Sequence, residues 1–338
     1  MPQTQASTSS SSYSPWMLSL RAKALRTAAS VAIGLQHYAA PAAPSPTTTE
    51  WIDATLGDRQ GKNLIRLDIY HPDKPNGGKA IEGKGRPGMI VFHGGGFVIG
   101  NGTDDARWAT AANDQLGAVV IAVSYRLAPE IPFPIPVEDC ASSILHVSSN
   151  ASRYGIDPSQ LLIAGFSAGG NLAFASYHLL HFASNWKYSL PAPPPPIRGI
   201  VGFYPLLDYT RTREDKRETS IKPEFALPAS LTHLFDTSYL PPGTDLRDPR
   251  VSPGIAPDEM IDRLPPVHLV LCEYDMLCSE GLDFKGRLEK REKVVSCGVV
   301  EGEKHGWDRP PPLTPKPTVA VEYAEALSEV KKWLQAGS

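Results

Sequence analysis

Six short runs of apolar residues, continuous instead of alternating, decide what this chain can fold into. They occupy residues 88–92, 118–124, 161–164, 199–204, 267–272 and 294–300. A strand that is apolar at nearly every position is buried on both faces, as happens in a parallel sheet covered by helices on either side. Helical patterns fill the intervals, at 106–116, 137–154, 169–182, 258–264, 279–290 and 319–334. Residues 64–70 alternate instead, with Ile65, Leu67 and Ile69 set against Arg66 and Asp68, and this predicts an edge strand. The fold class expected is α/β, a doubly wound and mostly parallel sheet. With 338 residues, 41 % of them hydrophobic, the chain can build a sizeable core as one domain with additions. Its 33 prolines are about twice the ordinary share of about 5 %, so helices and strands must be short units joined by stiff loops.

Two stretches break the rhythm. One is the N-terminal fifty residues; the other is 206–253, charged and proline-dotted, where only 225–239 looks helical. Both read as additions over the C-terminal edge of the sheet, where open α/β sheets bind ligands. The N-terminal stretch has a Ser/Thr-rich tip expected to be disordered, three cations (Arg21, Lys23, Arg26) and no acidic residue before Glu50. Its apolar patch at 28–35 is too short to span a membrane. Leu20, Ala24, Ala28, Val31 and Leu35 follow helical spacing, which predicts a helix laid across the body by that stripe.

Charge and cysteine usage exclude several classes. The net charge of −3 offers no basic field for nucleic acid or anionic lipid. Cys140, Cys272, Cys278 and Cys297 form neither a disulfide framework nor a C-x-x-C pair, so no metal site is expected. A reducing, cytoplasmic setting fits, with a mitochondrial address as the alternative reading of the acid-free start. The proline runs 191–196 and 310–312 read as stiff connectors.

The most informative piece is Gly165-Phe166-Ser167-Ala168-Gly169, which follows an apolar strand and precedes a helical pattern. A serine held on a sharp strand-to-helix turn is presented as a nucleophile, and glycines on either side remove side chains that would clash. A second piece, His93-Gly94-Gly95-Gly96-Phe97, also follows a buried strand. Its amides, with that of Ala168, are free of obstructing side chains and suited to a developing oxyanion. His93 is expected to orient this loop by hydrogen bonding. Such a serine needs an acid and then a histidine, in that chain order. Among the histidines after Ser167, His305 alone follows the last strand on a loop at the C-terminal edge; His178, His181, His233 and His268 do not. For the acid, the loop after 267–272 offers Asp275, with Glu273 and Glu280 as competitors. Phe97, Phe166 and Trp307 are expected to contact substrate.

Taken together, H-G-G-G-F, Y-R-L-A-P-E at 125–130, G-F-S-A-G-G and the Asp275 and His305 loops resemble the hormone-sensitive-lipase-like branch of the α/β-hydrolases. Pro132-Phe133-Pro134-Ile135-Pro136 and Arg250-Val251-Ser252-Pro253 are similar as well. The resemblance covers about residues 60–335. It implies an α/β-hydrolase fold with a helical cap: residues 1–50 as cap segment, 51–338 as catalytic domain, and a cap insertion at about 206–253. It also implies Ser167 as nucleophile, His305 as base, Asp275 as orienter, and Gly94, Gly95 and Ala168 as oxyanion hole. Arg126 and Glu130 match structural salt-bridging positions. Many members carry Asp where this chain has Phe166. The implied activity is hydrolysis of small or medium apolar esters, without cofactor. Amide or lactone cleavage is the alternative, and a receptor role, as in the plant gibberellin receptor, is a further one. The implied partner is a small-molecule ester, with a homodimer left open and nucleic acid excluded.

Overall fold

The computed structural model describes residues 14–39, 44–57, 63–72, 85–309 and 316–336. The expected disordered tip and the run 310–312 lie outside them. Eight strands form one sheet: β1 (Thr48–Asp53), β2 (Leu64–Tyr70), β3 (Arg86–Phe92), β4 (Val119–Ser124), β5 (Ile156–Phe166), β6 (Ile197–Phe203), β7 (Val267–Cys272) and β8 (Val295–Val300). Their order is β1-β2-β4-β3-β5-β6-β7-β8. From β4 to β8 neighbouring strands run parallel; β2 is antiparallel to both β1 and β4. The six apolar runs are thus the parallel strands, but only five are buried on both faces; β8 is the sheet's edge, mostly half-buried, with Val299 40 % exposed. Another expectation is corrected. Residues 64–70 do form a strand, but β1 covers its outer edge, and β1 carries only Ile52 as a buried residue.

Helices cover both faces. On one side α3 (Ile135–Ser149), α4 (Ala168–His181) and α8 (Cys278–Lys290) pack a core that includes Ile144, Leu172, Phe174, Phe284 and Leu288. On the other, α2 (Ala106–Leu116) and α9 (Pro317–Ala336) bury Trp108, Tyr323, Leu327 and Val330. Trp108 stands edge-on to Phe203 and Tyr323 with ring centroids 4.9 and 5.0 Å away, the arrangement the ring quadrupoles favour. The remaining helices are α1 (Pro15–Ala39), α5 (Arg213–Glu218), α6 (Ala229–Tyr239) and α7 (Asp258–Arg263). Both salt-bridging positions are paired: Arg126 grips Asp139 through its guanidinium at 2.6 Å, and Glu130 meets Arg26 of α1 at 2.8 Å.

The 206–253 segment is tied down where it leaves the sheet. Glu280 of α8 accepts the Leu207 amide at 2.7 Å and lies 2.5 Å from the Lys216 ammonium, with both side chains 2 % exposed. Burial pushes the Glu280 carboxyl up and the Lys216 ammonium down, and each partner counters the shift in the other. Removing one member of such a pair strands the other charge without solvent. Lys216→Met should therefore cost about 3–5 kcal/mol in urea unfolding. Adding Glu280→Gln, which keeps an acceptor for Leu207, should restore part of that loss.

Candidate active site

β5 delivers Ser167 on a strained turn, with φ 53° and ψ −114°, and α4 begins at the next residue. The two glycines of the motif are there because the backbone passes too closely for a side chain. A Cβ on Gly165 would sit 2.2 Å from the Gly169 carbonyl oxygen, and one on Gly169 would sit 2.0 Å from that of Phe92. At the open side of the turn the Ser167 hydroxyl donates to His305 Nε2 at 2.8 Å. His305 Nδ1–H donates to Asp275 Oδ2 at 2.6 Å, and Asp275 Oδ1 accepts the Leu277 amide at 3.0 Å. The carboxylate thereby selects the imidazole tautomer that leaves Nε2 free to accept the serine proton.

Three hydrogen bonds beyond the sheet edge hold the Asp275 and His305 loops at this spacing. Glu273 N donates to Val300 O at 3.1 Å, Tyr274 N to Glu303 O at 2.9 Å, and Gly302 N to Glu273 Oε2 at 2.7 Å. Of the three candidate acids, then, Asp275 faces the imidazole, Glu273 fastens the loops and Glu280 anchors Leu207 and Lys216. Tyr204, with φ 37°, places its ring edge-on to His305 at 4.8 Å, while its hydroxyl donates to Asp308 at 2.5 Å.

The 93–97 loop closes over Ser167. A Cβ on Gly94 would lie 3.5 Å from Ser167 Cβ, which puts that backbone beside the hydroxyl. Gly95, at φ 115°, accepts the Val98 and Ile99 amides through its carbonyl at 3.0 Å, which holds the turn. His93 donates from Nδ1 to Gly94 O at 2.7 Å and stacks on Tyr125 at 4.2 Å. Burial lowers its pKa to about 4, so at neutral pH it is an uncharged brace for the loop. His178 and His268 are likewise lowered by burial, to about 3 and about 4, and both lie in the core.

A cavity of about 370 Å³ opens over Ser167 and His305. Apolar walls come from Ile99, Leu206, Leu231 and Phe235, and from Ala29 and Ala32 of α1. Phe235 presses on the 93–97 loop, where a Cβ on Gly96 would meet its ring at 2.2 Å. A polar corner holds Asp105, Asp308, Arg309 and Tyr323. Arg309 pairs with Asp105 and lies 4.5 Å above the Phe166 ring, and burial still raises Asp105 to about 7. The three aromatic residues expected to contact substrate do not line this cavity. Phe97 stacks on Tyr239 at 3.6 Å, Phe166 stacks on Phe203 at 4.3 Å, and Trp307 packs edge-on to Tyr204. All three are buried in the core. Successive residues of a strand point to opposite faces, so Phe166 turns away as Ser167 turns outward. Sequence reasoning missed the actual walls because α1 and α6 reach the site only through the fold.

Residues 89–309 match the family model for the alpha/beta hydrolase fold. This chain belongs to the α/β-hydrolase family, in its hormone-sensitive-lipase-like branch. An AB hydrolase superfamily protein of Schizosaccharomyces pombe is 32 % identical over 253 residues, 71 % of either chain. Ethyl acetate hydrolase of Pseudomonas putida is 30 % identical over 260 residues, covering 76 % of this chain and 75 % of that protein. The solved esterase of Pyrobaculum calidifontis superposes with a TM-score of 0.72 at 28 % identity, over 95 % of this chain and 97 % of the other. Membership of this kind makes the chain a carboxylesterase-type hydrolase at the level of the family.

The division of labour among the three acids can be measured. Asp275→Asn keeps the shape of the side chain but favours the wrong tautomer, and should lower kcat by about 10³–10⁴-fold near neutral pH. Glu273→Gln keeps an acceptor for Gly302 and should change kcat less than about tenfold, because its role is to hold the loops in place.

Proposed function

We propose that the chain hydrolyses carboxylic esters of small or medium apolar acids through an acyl-enzyme on Ser167. The observation that carries this reading is the unbroken relay Ser167–His305–Asp275 at the floor of a cavity with apolar walls. Ester cleavage is the common chemistry of the family; the acyl-enzyme, the residue roles and the substrate size are the proposal.

In this reading His305 Nε2 takes the hydroxyl proton as Ser167 Oγ attacks the ester carbonyl, and Asp275 stabilises the imidazolium that forms. Negative charge on the carbonyl oxygen meets the amides of Gly94, Gly95 and Ala168. Each donor contributes about 3 kcal/mol to transition-state stabilisation. The start of α4 adds its positive end at the same place. His305 then gives its proton to the leaving alkoxide. A water deprotonated by the same imidazole attacks the acyl carbonyl, releasing the acid and restoring Ser167. α1 and the 206–253 segment act as a cap whose Ala29, Ala32, Leu231 and Phe235 bury the substrate's apolar part. An intact relay argues against a receptor role.

Ser167→Ala should abolish turnover of p-nitrophenyl butyrate while leaving the melting temperature nearly unchanged, since a small side chain at a cavity floor is lost. Turnover should fall from butyrate to palmitate esters as the acyl chain outgrows a cavity of about 370 Å³. Faster cleavage of a matched anilide than of the ester would move the assignment to amides. Full turnover by the alanine variant would overturn it.

A further inference from the structure

Two hydrogen bonds orient the His305 ring, and acylation would remove one of them. Nδ1–H donates to Asp275, and Nε2 accepts the Ser167 hydroxyl. Once an acyl group sits on Ser167 Oγ, that oxygen has no proton to donate. The imidazole must then keep its place with Asp275 on one nitrogen alone, until it has deprotonated a water. A ring held at one corner can swing about that bond unless a neighbour blocks the motion.

Tyr204 is that neighbour. Its ring stands at 65° to the imidazole plane with centroids 4.8 Å apart, and it is itself held from several sides. Trp307, two residues past His305, packs edge-on to it at 5.6 Å. Its hydroxyl donates to Asp308 Oδ1 at 2.5 Å, and Tyr323 of α9 donates to Oδ2 of the same carboxylate at 2.8 Å. Its amide donates to Val270 O of β7 at 2.6 Å. With φ 37° the residue keeps a costly backbone conformation, one that persists only where the surroundings enforce it. Asp308 stands three residues after His305, so the loop that carries the imidazole also carries the group that fixes Tyr204.

We propose that Tyr204 is a positioning residue that keeps His305 aimed at the acyl carbonyl during deacylation. The assignment rests on the acyl-enzyme proposed above. His305 Nε2 takes a proton from water as the water oxygen bonds to the acyl carbon, then returns it to Ser167 Oγ as the ester bond breaks. Tyr204 exchanges no proton in this step. Its hydroxyl is committed to Asp308, and burial beside that carboxylate holds its pKa well above the ordinary phenol value. In acylation the Ser167 hydroxyl helps to align the imidazole, so the brace matters less there. That asymmetry separates positioning from mere lining of the cavity, which Tyr204 also does.

The test follows p-nitrophenyl butyrate on the full chain, since its good leaving group departs quickly and leaves deacylation as the slow step. Stopped-flow mixing separates the burst of p-nitrophenol from steady turnover. In Tyr204→Leu, kcat should fall about tenfold and KM with it, while the burst rate and kcat/KM change less than about threefold. Tyr204→Phe keeps the ring and should recover most of the loss. One measurement needs no variant to fold. In wild type carrying isotope-labelled histidine and held as an acyl-enzyme by a slowly hydrolysed ester, the His305 Nδ1–H resonance should persist. A kcat/KM that falls as far as kcat in Tyr204→Leu overturns the proposal, as does a resonance lost to exchange once wild type is acylated. An acylated wild type beside an unimpaired Tyr204→Leu overturns it and leaves the acyl-enzyme standing. Wild type that turns over with neither burst nor adduct overturns the acyl-enzyme, and the assignment of Tyr204 with it.

Discussion

The close approach of three backbone segments at the end of β5 is the constraint on which the site depends. Gly165, Gly169 and the Phe92 carbonyl leave no room for a Cβ between them. Packed this tightly, the chain can leave the sheet and enter α4 within one residue, and the surrounding structure holds Ser167 at a positive φ. Such a conformation costs about 1–3 kcal/mol and persists only where its neighbours enforce it. The same contact draws the loop after β3 over the serine. Ser167 and the 93–97 loop are therefore placed by one packing event.

His305 and Asp275 are placed separately, by the parallel register of β7 and β8 and by the hydrogen bonds that continue it past the sheet edge. Val270 pairs with Gly298 and Cys272 with Val300 in that register, and Glu273 extends the ladder into both loops. Beneath His305 a buried polar network takes over. Asp308 accepts from Tyr204 and Tyr323 at 2.5 and 2.8 Å, and Arg309 reaches across to Asp105 and the Asp104 carbonyl. Arg309 also covers Phe166, the residue before the serine. Here the negative charge beside that guanidinium comes from Asp105 and Asp308, on neighbouring segments, and the position before the serine is filled by an aromatic ring stacked on Phe203.

How much of this was legible in the sequence follows from where each signal lies. Parallel strands are apolar throughout, so six of the eight were readable as runs, and the strand–turn–helix around Ser167 carried its own glycine signature. His305 was readable by position after the last strand. β1 was not readable, because its Thr, Glu and Asp residues are solvated and its strand character comes from the partner backbone of β2. α5, six charged or polar residues, is held by a capping box at Thr212 and by the buried Lys216, neither of which shows as periodicity. The stripe Leu20, Ala24, Ala28 and Val31 of α1, expected against the body, is exposed, and Ala22 is buried in its place; Leu35 lies outside the described side chains, and the Arg26 anchor to residues 72 and 102 positions away, which sets this orientation, gives no local signal. Phe97 and Phe166 adjoin site residues in sequence but face the core, since neighbours along an extended chain point in opposite directions. The two segments that wall the cavity were placed over the binding edge by their break in rhythm, but the wall residues Ala29, Ala32, Leu231 and Phe235 gave no local signal, because the fold alone brings them together.

The central claim is that Ser167 carries the acyl group. Mixing the enzyme with a slowly deacylated p-nitrophenyl ester, quenching in acid during the first turnovers and weighing the intact protein and its peptides tests this directly. The account predicts one acyl group per chain, on the peptide containing Ser167, formed with a burst of p-nitrophenol. Steady turnover with no covalent adduct and no burst, or an adduct on another residue, would contradict it.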